Sequence, residues 1–338
     1  MTQAQSLVEI WRGDFLECQH RGHAVVSDAR GQILAAWGDP EQVILPRSSS
    51  KMLQALPLVE SGAAAAAGLT SEQLALSCAS HQGAAIHTER VAKWLGDLGL
   101  SDDDLRCGPQ PPNDAPARHA LRDHGESPCQ MHNNCSGKHT GFLTLNRHLH
   151  AHAEYIEVDH PVQKAVKDAF EEMTGMETFG YGIDGCSAPN FATTVAGLAR
   201  AMARMADPSG LGSVREAAAR SLVAAMREHP LLVAGEGRAC SELMAAMDGK
   251  VAVKTGAEGV FVAILPEQGL GVALKIEDGA TRASESAMAA ILVRLGVLSP
   301  EHPLAIKRLR PAILNRRDID TGSIRPADDF YENGAALI

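Results

Sequence analysis

Residues 45–54 of this chain read LPRSSSKMLQ and predict the start of a helix that continues to Leu56. Serine is favoured at a helix N-terminus, and residues three apart share a face of the first turn. Ser48 and Lys51 therefore point the same way, with Ser48 near the positive end of the helix dipole. A neutral lysine amine at this spacing can take the proton of a hydroxyl nucleophile. Taken alone, a Ser-x-x-Lys spacing is more commonly a helix cap followed by a solvated charge.

A second signal lies near the end of the chain, where Lys-Thr-Gly at 254–256 ends a short apolar run. Ser-x-x-Lys at a helix start followed by Lys-Thr-Gly on a late strand is the pairing of serine β-lactamases and penicillin-binding proteins. Two lysines near one serine lower each other's pKa toward neutrality. Ser80 ends another predicted helix and supplies a second hydroxyl that could face Lys254. The neighbouring His81 could be a base, although a helix-terminal histidine is more commonly a cap or a surface group.

A third signal is a pair of cysteines with basic residues beside one of them. Cys135 and Lys138 are three apart, so a helix starting at Ser136 would bring them together. Cys186 follows farther along the chain and can reach them only through the fold. Two soft sulfurs are a reasonable start for a zinc site, with His139 as the usual third ligand from spacing alone. Reduced core cysteines are the more common alternative.

Composition excludes several classes of function. The chain has 338 residues, of which 45% are hydrophobic, enough for one large domain or two intertwined lobes. A net charge of -10 argues against nucleic acid or an anionic membrane as the main partner. The N-terminus lacks the pattern of a signal peptide, and no stretch approaches the roughly 20 apolar residues of a membrane span. The seven scattered cysteines then predict reduced thiols and a cytoplasmic location.

Strand-like segments lie at both ends of the chain. Between them, Ala-rich amphipathic segments predict helices near 49–60, 70–78, 85–97, 160–174, 190–205, 213–228 and 236–247. The pattern predicts an α/β fold with one antiparallel sheet built from both termini and a helical subdomain inserted in the middle. We expect a single two-lobed domain, with a sheet lobe at about 1–47 and 249–338 and a helical lobe at about 48–248. The active site should lie in the groove between the lobes. Residues after about 297 predict a charged, irregular tail.

Taken together, the motifs resemble the rhizobial-type L-asparaginases. They occur in the order of that family over about residues 20–295, and six weak blocks in order make a specific match. The matching blocks are Arg47-Ser48-x-x-Lys51, Cys78-Ala79-Ser80-His81, Asn134-Cys135-Ser136-Gly137-Lys138-His139, Asp184-Gly185-Cys186, Gly235-Glu236-Gly237-Arg238 and Lys275-Ile276-Glu277-Asp278-Gly279.

The resemblance implies a serine-β-lactamase-like fold, hydrolysis of L-asparagine to L-aspartate and ammonia, and a homodimer. It also implies a zinc ion with a lysine ligand instead of the histidine that spacing favours. A lysine binds metal only when neutral, so the metal must lower its pKa. We expect this zinc to position the substrate rather than to activate water. The implied residues are two Ser–Lys pairs, Ser48–Lys51 and Ser80–Lys254, and the zinc ligands Cys135, Lys138 and Cys186. Our own candidates for binding the substrate are Arg47, His139 and Asp184.

Three alternatives stay open. A glutaminase differs only by one methylene in its substrate. A β-lactamase or peptidoglycan enzyme shares the Ser-x-x-Lys and Lys-Thr-Gly motifs, and a non-catalytic zinc or thiol sensor would share the cysteines. The nucleophile is also open, because three serines stand in a row. Only Ser48 has the i to i+3 relation to Lys51, but Ser80 is a second candidate.

Overall fold

The computed structural model describes residues 3–338, which form two compact units. We call the first the sheet unit; it contains residues 3–49, 193–207 and 242–338. We call the second the helical unit; it contains residues 50–192 and 208–241.

The strands of both units are short or of medium length and are numbered along the chain. They are β1 Gln5–Arg12, β2 Phe15–Asp28, β3 Ile33–Trp37, β4 Val43–Ile44, β5 Tyr181–Ile183, β6 Pro189–Phe191, β7 Thr193–Thr194, β8 Ala252–Thr255, β9 Val260–Leu265, β10 Leu270–Ile276, β11 Ala312–Leu314 and β12 Asp320–Pro326.

The helices are numbered in the same way. They are α1 Lys51–Gln54, α2 Leu56–Glu60, α3 Ala63–Ala66, α4 Ser71–Ser77, α5 Ala85–Asp97, α6 Ala115–His124, α7 Ser136–Leu149, α8 Pro161–Thr174, α9 Val195–Ala206, α10 Ser213–Glu228, α11 Pro230–Val233, α12 Ala239–Ala246, α13 Thr281–Arg294, α14 Pro303–Leu309 and α15 Asp328–Tyr331. No helix among residues 3–338 has the length and apolar character needed to cross a membrane.

The sheet unit is built around one antiparallel sheet with strand order β11-β12-β1-β2-β10-β9-β8, and β3 also pairs with β2. The N-terminal strands β1 and β2 therefore lie between C-terminal strands in one sheet, which confirms the predicted fold class. β9 is buried at every position, and both α9 and α13 contact β9 and β10. Burial by helices explains why these strands read as continuous apolar runs.

The position of α9 differs from the prediction, which placed residues 48–248 in the helical lobe. This helix belongs to the sheet unit and packs on β10. The physical reason is close backbone contact: a Cβ at Gly271 would lie 2.1 Å from the Ala203 nitrogen and 2.3 Å from the Ala199 oxygen. Glycine on the strand and alanine on the helix let the two backbones touch.

The prediction of an irregular tail is also wrong, because residues 303–331 form α14, β11, β12 and α15. β12 pairs with β1 so that Val8 faces Pro326 and Trp11 faces Ser323. The sequence of β12, DTGSIRP, has no alternating apolar pattern. Its stability therefore comes from backbone pairing, which the pattern of side chains cannot reveal.

In the helical unit, α7 begins at Ser136, the start that the spacing of Cys135 and Lys138 required. Its residues are buried from Ser136 to Asn146. A Cβ at Gly137 would lie 2.4 Å from the Leu76 carbonyl oxygen at the end of α4. Glycine therefore allows the first turn of α7 to lie directly on α4, and this contact positions the side chains that follow.

Candidate active site

Ser48 lies in a 3-10 turn, Arg47–Ser50, that runs directly into α1. The prediction that Ser48 caps an α-helix is wrong in detail, because α1 begins at Lys51. The turn also distinguishes among the serines: the Ser49 hydroxyl is buried and donates to the Pro46 carbonyl at 2.7 Å. Ser48 is half-buried. Arg47 has a φ of 55°, a conformation that is uncommon outside glycine and is found at functional sites.

The Lys-Thr-Gly segment lies against this turn within the sheet unit. Lys254 is fully buried on β8, and its Nζ donates to the Thr255 carbonyl at 2.8 Å. A Cβ at Gly256 would lie 2.6 Å from the Pro46 carbonyl oxygen and 3.3 Å from the Ser49 Cβ. Only glycine permits this approach, so the motif serves to bring the end of β8 beside the Ser48 turn.

Lys51 and Ser80 lie close together in the helical unit. Lys51 is fully buried, and its Nζ donates a hydrogen bond to the carbonyl of Ala79, the residue before Ser80. The Ser80 N–H donates to the Val233 carbonyl at 2.9 Å. The lysine amine is therefore held beside the backbone that carries the second candidate hydroxyl.

His81 is completely buried and is not the cap or surface group that its place at a helix end suggested. The Gly83 N–H donates to its Nδ1 at 3.1 Å, which places the proton of the neutral ring on Nε2. Nε2 then donates to the Ser136 hydroxyl at 2.9 Å, and that hydroxyl donates to the Met131 carbonyl. Burial is the main cause that holds the pKa of His81 well below its usual value. His81 thus ties the Ser80 segment to the start of α7.

Cys135, Lys138 and Cys186 come together as the resemblance implies. Both cysteines and the lysine are buried, and Lys138 Nζ lies 3.1 Å from the Cys186 sulfur. A hydrogen bond from Cys135 and the charge of Lys138 hold the pKa of Cys186 well below that of a free thiol, although burial opposes this. The same hydrogen bond and burial raise the pKa of Cys135. Burial disfavours the Lys138 cation, but the two sulfurs outweigh it and its pKa is raised.

His139 lies in the same buried region but has a different neighbour. The Arg106 N–H donates to the Tyr155 hydroxyl oxygen at 2.8 Å, so the hydroxyl is placed to donate to His139 Nδ1 at 2.9 Å. His139 Nε2 is buried and has no hydrogen-bond partner within residues 3–338. Burial lowers the pKa of His139 to about 4. No sequence pattern indicated Tyr155, because it lies outside any helix or strand and outside every motif.

Asp184 lies two residues before Cys186 in a tight turn. Its carboxylate accepts from the Gly185 N–H at 2.8 Å, and its own N–H donates to the Ala188 carbonyl at 3.0 Å. The charge of Asp184 also favours the protonated form of Lys138. The turn therefore places a carboxylate close to the buried cluster formed by Cys135, Lys138, His139 and Cys186.

The donor atoms of this cluster fit a zinc-type ion. Two sulfurs and an amine nitrogen are buried together, and such soft and borderline donors suit Zn²⁺. Within the described part of the chain, no three His, Cys, Asp or Glu side chains form a metal site by themselves. A metal at the two cysteines would therefore need the Lys138 nitrogen.

The sequence model of the L-asparaginase II family matches residues 8–326, nearly the whole chain. The chain belongs to the L-asparaginase II family. This confirms the family assignment made from the motifs and places the protein among the asparaginase-type amidohydrolases. No curated protein matches the sequence.

Solved structures that are similar to this family member include a β-lactamase from Mycobacterium bovis, with 16% identity, coverage of 80% of this chain and 93% of the other, and a TM-score of 0.45. A putative β-lactamase from Bacteroides dorei has 11% identity, coverage of 75% and 84%, and a TM-score of 0.44. An octameric penicillin-binding protein homologue from Pyrococcus abyssi has 12% identity, coverage of 83% and 75%, and a TM-score of 0.38. The sequence identities and TM-scores of these matches are low, so the architecture is established by the strand order itself.

Proposed function

We propose that this protein hydrolyses L-asparagine to L-aspartate and ammonia, with Ser48 as the nucleophile and Lys51 as its base. Family membership supports the amide substrate. The observation that carries the choice of nucleophile is the close contact of Gly256 with the Pro46–Ser49 segment, which sets the Lys-Thr-Gly strand end beside Ser48. The hydrogen bond of Ser49 to Pro46 further favours Ser48, because it occupies the hydroxyl of the neighbouring serine.

The chemistry is acyl transfer in two steps. Neutral Lys51 takes the hydroxyl proton of Ser48 as the serine oxygen attacks the side-chain amide carbon of asparagine. The proton passes to the leaving nitrogen, ammonia departs, and an aspartyl ester remains on Ser48. Water then attacks the ester, returns a proton to Ser48 and releases aspartate. Backbone N–H groups near Ser48 and the end of β8 would stabilise the oxyanion, and one such donor contributes about 3 kcal/mol.

We assign Ser80 and Lys254 to proton relay in this scheme. Lys254 is fully buried and Ser80 nearly so, which favours transfer between fixed groups over exchange with bulk water. The homodimer implied by the family resemblance stays a prediction.

We also propose that Cys135, Lys138 and Cys186 hold a zinc ion, with the Nε2 of His139 facing the same buried region. Bound zinc would supply a Lewis-acidic anchor for the charged groups of the substrate. The protein's own residues would do the remaining work: Ser48 and Lys51 carry the acyl transfer, Asp184 contacts the α-amino group and His139 the α-carboxylate. Arg47, the third substrate-binding candidate, lines a cavity of the sheet unit.

Removal of the metal should weaken substrate binding more than it slows the chemical step. Metal analysis of the full chain should find about one zinc per chain, which Cys135→Ala should lose because soft thiolates are the main ligands. Cys240→Ala, which removes a buried thiol outside the cluster, should keep the zinc. After chelation, KM for asparagine should rise by about tenfold or more, with a smaller change in kcat. Unchanged KM together with lost turnover would contradict the positioning role.

The substrate assignment is tested by ammonia release from L-asparagine and L-glutamine and by hydrolysis of the β-lactam nitrocefin. We expect asparagine to be preferred over glutamine by roughly 10- to 200-fold in kcat/KM, since one methylene contributes about 1–3 kcal/mol of discrimination. Nitrocefin should not be hydrolysed. Preference for glutamine would make the protein a glutaminase, nitrocefin turnover would favour the β-lactamase alternative, and a zinc-loaded protein inert toward all three would favour the sensor.

A further inference from the structure

A cavity of about 420 Å³ opens within the sheet unit, next to the turn that carries Ser48. Its walls come from β2, the β4 segment, the turn after β8, and the end of β10 with the residue that follows it. Cavities of a few hundred Å³ are the size that binds small molecules in proteins. Its lining residues are His23, Gln42, Val43, Ile44, Leu45, Arg47, Glu258, Lys275 and Glu277.

His23 lines this cavity with a buried imidazole ring. The ring is only 3% exposed. The Asp39 N–H donates to His23 Nδ1 at 2.8 Å, so the proton of the neutral ring is on Nε2. Nε2 lies 3.8 Å from Glu277 Oε1, which is within ion-pair range but too far for a hydrogen bond. Glycine at position 38 leaves room for the ring, because a Cβ there would lie 2.6 Å from His23 Nδ1.

Charges of both signs surround this donor. The carboxylates of Glu258 and Glu277 are largely exposed on one side, with 69% and 55% of each side chain accessible. Lys275 donates to the backbone carbonyl of Glu258, which holds its ammonium at the cavity wall. The carboxylates disfavour a simple anion and the lysine disfavours a simple cation. A ligand that carries one positive and one negative charge can pair with a carboxylate and with the lysine at the same time.

Part of the cavity lining is apolar. Val43 and Leu45 flank the buried Ile44, and their side chains are 43% and 42% exposed. β4 pairs only with the two-residue β7 among the described residues, so its other edge is open. An apolar group of a ligand that packs on Val43 and Leu45 would explain why these aliphatic side chains are exposed beside a charged cavity.

We propose that this cavity binds a free α-amino acid with an apolar side chain, its carboxylate held by His23 Nε2 and Lys275 and its ammonium by Glu277. The aliphatic side chain of the ligand packs against Val43 and Leu45. The inference goes beyond the hydrolase function and does not depend on it, because binding requires no reaction. A ligand there lies beside Arg47, the residue before Ser48, so the site is placed to influence the catalytic turn.

The test is calorimetric titration of the full chain with L-leucine, which has no side-chain amide to hydrolyse. Two matched probes each lack one charge: 4-methylpentanoate has no amine, and 3-methylbutylamine has no carboxylate. We expect one leucine to bind per chain, and both probes to bind at least about tenfold more weakly because each loses a charge-assisted contact. Equal binding by either probe, or no binding of leucine, would overturn the proposal.

Variants place the site on the molecule. Glu277→Gln and, separately, Lys275→Met should each weaken leucine binding by about tenfold. Glu267→Gln and Lys250→Met make the same changes at exposed positions of the sheet unit and should leave binding unchanged. Glu277 is exposed, so its variant will fold even if Lys275→Met does not. If Glu277→Gln bound leucine as tightly as the wild type does, the amino acid would bind elsewhere on the protein. That conclusion would hold whatever the hydrolysis assays showed.

Discussion

Ser48→Ala should reduce kcat for asparagine by a factor on the order of 10⁴–10⁶, the usual effect of removing a catalytic nucleophile that acts as a unit with its base. Ammonia release under single-turnover and steady-state conditions measures the loss. The folded state should be unaffected, because Ser48 is half-buried and the Ser49 and Gly256 contacts that hold the turn remain.

Ser49→Ala is the matched control for this variant. It removes an adjacent hydroxyl whose bond to the Pro46 carbonyl contributes about 1 kcal/mol to stability. Most of the activity should therefore survive, with a slightly lower unfolding midpoint. If instead Ser48→Ala stayed active while Ser80→Ala became inert, Ser80 would be the acylated residue and the Ser48–Lys51 assignment would be wrong.

Gly271→Ala should destabilise the protein by about 3 kcal/mol or more, an unusually large effect for one methyl group. The added Cβ would lie 2.1 Å from the Ala203 nitrogen and 2.3 Å from the Ala199 oxygen, so α9 itself must move away from β10. Backbone atoms cannot rotate aside as a flexible side chain can. Urea unfolding, followed by circular dichroism, measures the change in the free energy of unfolding.

Gly96→Ala provides the comparison, because it makes the same substitution at an exposed position of α5 with nothing within 4 Å of the new Cβ. Alanine is the better helix former, so this variant should gain about 0.5–1 kcal/mol. Equal midpoints for Gly271→Ala and the wild type would mean that α9 and β10 do not pack as closely as the structure shows.

Strong local patterns explain which helices could be predicted. The predicted segments 85–97 and 213–228 match α5 and α10 residue for residue, because each has a continuous amphipathic period and clear ends. The segment predicted at 49–60 instead consists of a 3-10 turn and two short helices. The pattern near 190–205 begins with β6 and β7 before α9 starts. Short elements of this kind are determined by their tertiary neighbours.

The residues of the candidate site also fall into two groups: those that motifs predict and those that only the fold brings together. The residues that we propose to carry its chemistry stand in short motifs, so Ser48, Lys51, Ser80 and Lys254 could be named from residue type and spacing. The partners of those residues could not. The hydrogen bond from His81 to Ser136 and the one from the Tyr155 hydroxyl to His139 join segments far apart in the chain, and no local pattern encodes them.

The sequence by itself determined the family, the succession of strands, then helices, then strands along the chain, and the candidate catalytic residues, because these depend on local period and on motif spacing. Only the tertiary structure decided that α9 packs on the sheet, that β12 pairs with β1, and that His81 is buried. It alone brought Lys138 to Cys186 and placed His23 in a charged cavity. The physical reason is that close backbone approach, burial and long-range pairing are properties of neighbours in space, which residues distant in the sequence supply.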